Sequence, residues 1–155
     1  VNIYLSSSWK NRGRVRQLAN DLRRFGHEVY DFTDPECRKS PEIPPERFPE
    51  PFKPGSHDYA EYISRPEWIQ IVAENRAAIS HADLIILLLP CGNDSHADWA
   101  LGVGMGKRSI VVGHPREGDR SPVHHWADAI LPDDTAALAW VMAVEQAGRP
   151  ENNHG

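Results

Sequence analysis

The sequence predicts one α/β domain: a five-stranded parallel sheet in three layers, wound outward in both directions from its middle, with helices on both faces. Three observations predict it. Short apolar, β-branched runs alternate with stretches of helical period along the chain. The first three elements read strand–helix–strand. The run Asp83 to Leu89 (DLIILLL) is continuously apolar, as a central parallel strand covered on both faces should be. The chain has 155 residues, which suits one domain over 1–148 followed by a polar tail, 149–155.

Each element has its own reason. Val1 to Ser6 is short, apolar and stopped by three serines, so it reads as the first strand. Val15, Leu18, Ala19 and Leu22 recur at i, i+3, i+4 and i+7, and Gly26 closes that helix. His27 to Phe32 is the second strand. The segment 33–57 carries seven of the thirteen prolines, which excludes helix and central strand; it is expected to be a functional loop, a lid or an oligomer arm. Pro66 opens a helix to about His81, with Trp68, Ile71, Val72, Asn75 and Ile79 expected on one face. The strand from Asp83 follows, then a helix from Ser95 to about Gly104. A fourth strand is expected over Arg108 to Val112 and a short fifth over Ala129 to Leu131. Asp133 to Ala147 is the last helix.

Bulk properties narrow the function. There are 22 acidic and 17 basic residues, a formal charge of −5, which argues against a broad surface for a nucleic-acid polymer. The two cysteines, Cys37 and Cys91, form no ligand or disulfide spacing, so the expected compartment is the reducing cytoplasm. No apolar run reaches membrane length.

In a sheet of order 2-1-3-4-5 the ligand crevice lies beyond the carboxyl ends of strands 1 and 3. Two polar segments converge there: Ser6, Ser7, Ser8, Trp9, Lys10, Asn11 and Arg12 after strand 1, and Cys91 through Asp98 after strand 3. Both lead into helix N-termini, which favour anions. The serines with Lys10 and Arg12 are therefore candidates for a phosphate or a ribose, and equally for a serine cap on a solvated basic helix. Trp9 is read either as a platform for a base or as a lid on the core. Neither segment is a Walker loop. Gly102, Gly104 and Gly106 end a helix rather than open one, so they read as close packing and not as a dinucleotide fingerprint.

The run Gly92 to Lys107 (GNDSHADWALGVGMGK) aligns without a gap to a "G-x-S-A-H-x-E-x-G-x-A-x-G-x-G-K" pattern. With Ile3-Tyr4-Leu5-Ser6 matching an opening "(I/V)YLA" strand and Ala82-Asp83-Leu84-Ile85-Ile86 matching an "AD-hydrophobic" strand, the chain resembles the nucleoside 2-deoxyribosyltransferase superfamily. The resemblance covers strand 1 and roughly 74–112. It implies a flavodoxin-like fold, no cofactor, a small nucleoside or nucleotide as partner, and association of like subunits. It also implies cleavage or transfer at an N-glycosidic bond, with a carboxylate nucleophile. Asp98 stands where the family has glutamate. Asn75 stands where the family has a second acid that contacts the base, and Gly92 where some members have an aspartate. Topology and resemblance together make Tyr4, Ser6, Ser7, Ser8, Trp9, Arg12, Asn75, Gly92, Asn93, Ser95 and His96 the residues expected at the substrate.

The chemistry is self-consistent. A carboxylate beside an anomeric carbon can stabilise or trap an oxocarbenium-like state. Near a helix N-terminus the dipole would keep Asp98 ionised, and His96 could donate to the leaving base or bind the sugar. Against this, Ser95-x-x-Asp98 also fits a capping box, in which Asp98 merely satisfies the backbone of Ser95. Two other functions stay open: a nucleotide-binding or signalling module without catalysis, motivated by Asp in place of Glu, and a TIR-like NAD hydrolase. No metal is expected, because His124 and His125 are adjacent and lack a third ligand at useful spacing. Cys91 is read as a packed residue, and Lys107 as a partner for a helix end.

Overall fold

The computed structural model describes residues 1–37, 53–55, 58–119 and 121–148. Residues 38–52, 56 and 57 lie outside the described residues, so the lid or arm expected of the proline-rich loop falls there, as does the 149–155 tail.

Five strands, β1 (Asn2–Ser6), β2 (Glu28–Asp31), β3 (Leu84–Leu88), β4 (Arg108–Val112) and β5 (Ala129–Leu131), form one sheet of order β2-β1-β3-β4-β5. Every neighbouring pair is parallel. The crossovers run through α1 (Arg12–Arg24), α3 (Pro66–His81) and α4 (Asn93–Gly104), and α5 (Asp134–Gly148) returns over the sheet. This is the expected three-layer, doubly wound arrangement. Three short pieces were not legible in the sequence: 3₁₀ turns at Trp9–Asn11 and Pro122–Trp126, and the one-turn helix α2 (Tyr59–Ile63), which Asp58 caps by accepting from the Glu61 backbone N–H.

Strand alternation sorts the side chains into two cores. Ile3, Leu5, Val29, Ile86 and Ile110 meet Val15, Leu18 and Leu22 of α1 and Val141 of α5 on one face. Tyr4, Ile85, Leu87 and Val111 meet Ile79 of α3 and Trp99 of α4 on the other. The apolar stripe read in α1 is buried as a whole. At Gly102 a Cβ would stand 2.5 Å from Ile85 Cγ1, so α4 lies on β3 at a distance only glycine allows. Gly106 turns the chain at φ +74° after α4, and Lys107 Nζ donates to Ser80 O near the end of α3, 2.7 Å away.

The stripe expected on α3 is only partly realised. Ile79 is buried and Trp68, Ile71 and Asn75 are half-buried, but Val72 is 66% exposed. The reason is length. Sixteen helical residues span roughly 24 Å, whereas five strand residues span roughly 17 Å. The chain enters β3 directly from the end of α3, so the N-terminal half of α3 projects past the carboxyl ends of the strands. Val72, on the same stripe as Ile79, lies in that projecting half. The same overhang carries Asn75 to the crevice.

Candidate active site

The loops after β1 and β3 are stitched together at the switch point. Ser6 Oγ donates to Ser95 O and Ser7 Oγ to Leu88 O, each at 2.9 Å. Asn11 Nδ2 donates to Ser7 Oγ at 2.9 Å and to Pro90 O at 2.7 Å. The convergence expected from topology is present, but Ser6 and Ser7 spend their hydroxyl protons on backbone carbonyls. Ser8 caps the 3₁₀ turn by accepting from Lys10 N. Trp9 tilts on Phe32 with ring centroids 6.1 Å apart, and its Nε1 is buried with no partner among the described residues. Arg12 is exposed at the start of α1.

Asp98 sits where β1, α3 and α4 meet. Tyr4 Oη donates to its Oδ2 at 2.8 Å and Asn75 Nδ2 to the same oxygen at 3.1 Å. Its Oδ1 has no hydrogen-bond partner among the described residues. Burial pushes the carboxyl above its ordinary value, the Tyr4 and Asn75 bonds pull it back, and the charge of Asp94 adds to the rise. Two expectations are corrected. First, α4 begins at Asn93 with Gly92 as N-cap, and no side chain caps it. Asp98 is therefore in the second turn, bonded to Tyr4 and Asn75 and not to the backbone of Ser95, so the capping-box reading fails. Second, the dipole acts within the first turn, and desolvation outweighs it at Asp98.

His96 does not share the Asp98 flank. Two residues along a helix turn a side chain by roughly 200°, and His96 faces the segment after β4. Its Nδ1 is 2.9 Å from Gly92 O, and its Nε2 is 2.9 Å from His124 Nε2. A carbonyl only accepts, so Nδ1 carries a proton; in the neutral imidazole Nε2 then accepts from His124 Nε2–H. Cys91 Sγ lies 3.4 Å from the same Nδ1, and burial pushes its thiol up to about 11, which makes it inert. His124 is turned edge-on to Trp99, while His125 is exposed, so the two neighbouring histidines do point apart. No cluster of three or more metal-binding side chains occurs among the described residues.

A cavity of about 430 Å³ lies on this second flank, beyond β3 and β4, lined by Gly92, Asn93, His96, Arg116 and His124 among others. A larger one, about 680 Å³, opens at the outer edge of β2 beside Arg23, His27 and Cys37. Its lining includes Asn2, Glu28 and Ala82, at the amino ends of the strands, the wrong end for ligand binding in this topology. Its size alone does not make it the site.

Two nucleoside enzymes share this fold. The 2-deoxyribosyltransferase of the psychrotolerant bacterium Bacillus psychrosaccharolyticus superposes with a TM-score of 0.59 at 18% identity, covering 93% of this chain and 95% of that one. The CMP N-glycosidase of Clostridium botulinum gives 0.51 at 15% identity, covering 90% and 97%. At these identities the likeness is one of fold, and it agrees with the resemblance carried by Gly92 to Lys107. No family model matches the sequence, and no curated protein matches it. No helix among the described residues is long and apolar enough to cross a membrane.

Two residues of this region escaped the sequence reading. The sequence presents His124 beside His125, and nothing local reveals a partner 28 positions away. Tyr30 was read simply as strand. Its signal was available: Tyr30 pairs with Tyr4 in the parallel register of β1 and β2, which puts both rings on one face.

Proposed function

We propose that this chain cleaves, or transfers at, the N-glycosidic bond of a nucleoside or nucleoside 5′-monophosphate, with Asp98 as nucleophile. The observation that carries the reading is the asymmetry of the Asp98 carboxylate at the crevice between β1 and β3, with Oδ2 held by two donors and Oδ1 without a hydrogen-bond partner among the described residues. In the reaction Oδ1 attacks the anomeric carbon as the carbon–nitrogen bond breaks. The electron pair leaves on the base, which takes up a proton, and a glycosyl ester remains on Asp98. Water then attacks the same carbon, releases the sugar, loses a proton to solvent and restores the carboxylate. A second base in place of water completes a transfer. Tyr4 and Asn75 steady the carboxylate, and the half-buried setting limits premature hydrolysis.

The 5′-phosphate draws less support from Ser6 and Ser7, whose protons are committed, than from the start of α4. There Gly92 supplies no capping side chain and Arg116 lines the adjoining cavity. The fold shared with a CMP N-glycosidase supports a nucleotide substrate and the one shared with a deoxyribosyltransferase supports a nucleoside. The protein should be incubated with ribo- and deoxyribonucleosides, their 5′-monophosphates and NAD, with and without a second free base, and the products separated by HPLC. Release of a free base by the wild type and not by Asp98→Ala is the expected result. Full recovery of every compound would sink the reading and favour a binding module. Cleavage of NAD alone would favour the NAD hydrolase.

A further inference from the structure

Both groups that hold Asp98 are themselves touched by one side chain. The ring of Tyr30 stacks on that of Tyr4 with centroids 5.2 Å apart and planes 7° from parallel. Its hydroxyl points to Asn75 Oδ1 at 3.4 Å. That distance is long for an O–H···O bond, as such bonds often are before a ligand closes a site. The stack is fixed by the fold, because the β1–β2 register sets Tyr4 beside Tyr30 and side chains of registered residues leave the sheet on the same face.

The Asn75 contact has a consequence for polarity. An amide can turn its oxygen or its nitrogen to a neighbour, and Asp98 when ionised accepts only a donor. With the Tyr30 hydroxyl donating to Oδ1, the amide presents Nδ2–H to Asp98. With the Tyr30 ring against Tyr4, the Tyr4 hydroxyl stays aimed at Oδ2. Tyr30 reaches Asp98 through these two residues.

We propose that Tyr30 is a positioning residue for Asp98, fixing the Asn75 amide by its hydroxyl and the Tyr4 phenol by its ring. The proposal rests on the reading of Asp98 as nucleophile for its effect on turnover, but its effect on the carboxylate is independent of any substrate. Two variants separate the two contacts. Tyr30→Phe keeps the stack and loses the hydroxyl; Tyr30→Leu loses both.

The test follows the Asp98 carboxyl by carbon-13 NMR titration in the intact protein, alongside the pH dependence of kcat. In Tyr30→Phe the carboxyl should titrate at higher pH than in the wild type, and further up in Tyr30→Leu, because the ionised form loses well-placed donors. The acid limb of kcat should move in step. kcat should fall about tenfold in Tyr30→Leu, the scale of one hydrogen bond, with KM little changed. In an Asn75→Ala background, Tyr30→Phe should add nothing. A Tyr30→Leu protein that is folded by circular dichroism, yet whose Asp98 titrates where the wild type does, would overturn the proposal. If the titration moves while no compound is turned over by any variant or by the wild type, the positioning role stands and the glycosidic reading falls.

Discussion

The two flanks of α4 carry similar side chains and different chemistry. On one, Asp98 is bonded through a single oxygen, and the other has no hydrogen-bond partner among the described residues. On the other, His96 uses both ring nitrogens, one on Gly92 O and one on His124. In the sequence these residues are two apart in one motif; on the helix they look in opposite directions. The difference teaches that a cluster of titratable residues marks a site only where valence is left over. On the histidine flank both His96 nitrogens are engaged, and on the aspartate flank one carboxylate oxygen has no partner among the described residues.

The largest expected effect sets the two flanks directly against each other. Asp98→Ala should lower kcat by at least about a thousandfold, as loss of a nucleophile does. His96→Ala should change kcat by less than about threefold. Steady-state rates of base release from the best substrate check both. Equal losses would show that the flanks work as one site and would break the comparison.

A smaller effect sharpens the open flank. Tyr4→Phe removes the 2.8 Å donor while leaving the stack on Tyr30. A bond to a charged group is worth about 1.5–3 kcal/mol, so kcat/KM should fall about 10- to 100-fold. The acid limb should also move up. Burial already raises the Asp98 carboxyl and Tyr4 is the largest influence lowering it, and the nucleophile proposed for it must be ionised. An acid limb that stays in place would mean that another group sets it.

Much of this was legible in the sequence. The order of the sheet followed from five strands alternating with helices, with DLIILLL as the central one, and β4 and β5 were placed to the residue. Asp98 was picked out by its position after a central strand and by a gapless motif. What stayed hidden depended on distance through space. Nothing in Ser95-x-x-Asp98 tells that the helix starts two residues sooner, because Gly92 is a permissive N-cap whose backbone alone does the work. The roles of Ser6 and Ser7 could not be read either, since the carbonyls that absorb them belong to residues over 80 positions away. The pairing of His96 with His124 is of the same kind.

Stability should distinguish the flanks more gently. Burial raises the Asp98 carboxyl in the folded chain above its ordinary value. The folded state then binds more protons than the unfolded one between the two values, so stability falls as pH rises through that window. Asp98→Asn has no charge to bury and can still accept from Tyr4. It should melt no lower than the wild type at pH 7 and lose its advantage as pH falls from the raised folded value to about 4. A variant that melts several degrees lower at pH 7 would mean that the ionised carboxylate is a net structural asset.

The smallest effect belongs to the closed flank. Burial, and then the neighbouring His96, lower the His124 imidazole in the folded state. The unfolded chain therefore takes up the extra proton first. The stability tied to neutral His124 is complete above about pH 6.5, the unperturbed value, and is lost as pH falls from there to the lowered folded value. Contact with His96 sharpens this, since the two Nε2 atoms share one proton and cannot both carry one. His124→Gln can still donate to His96 but does not titrate. It should cost no more than about 1 kcal/mol at pH 7.5, and its melting temperature should fall less steeply than the wild type's below pH 6.5. Some slope should persist, because His27, also lowered by burial, still titrates. Identical slopes in the two proteins would show that His124 is protonated without strain, and that the histidine flank is less closed than its geometry implies.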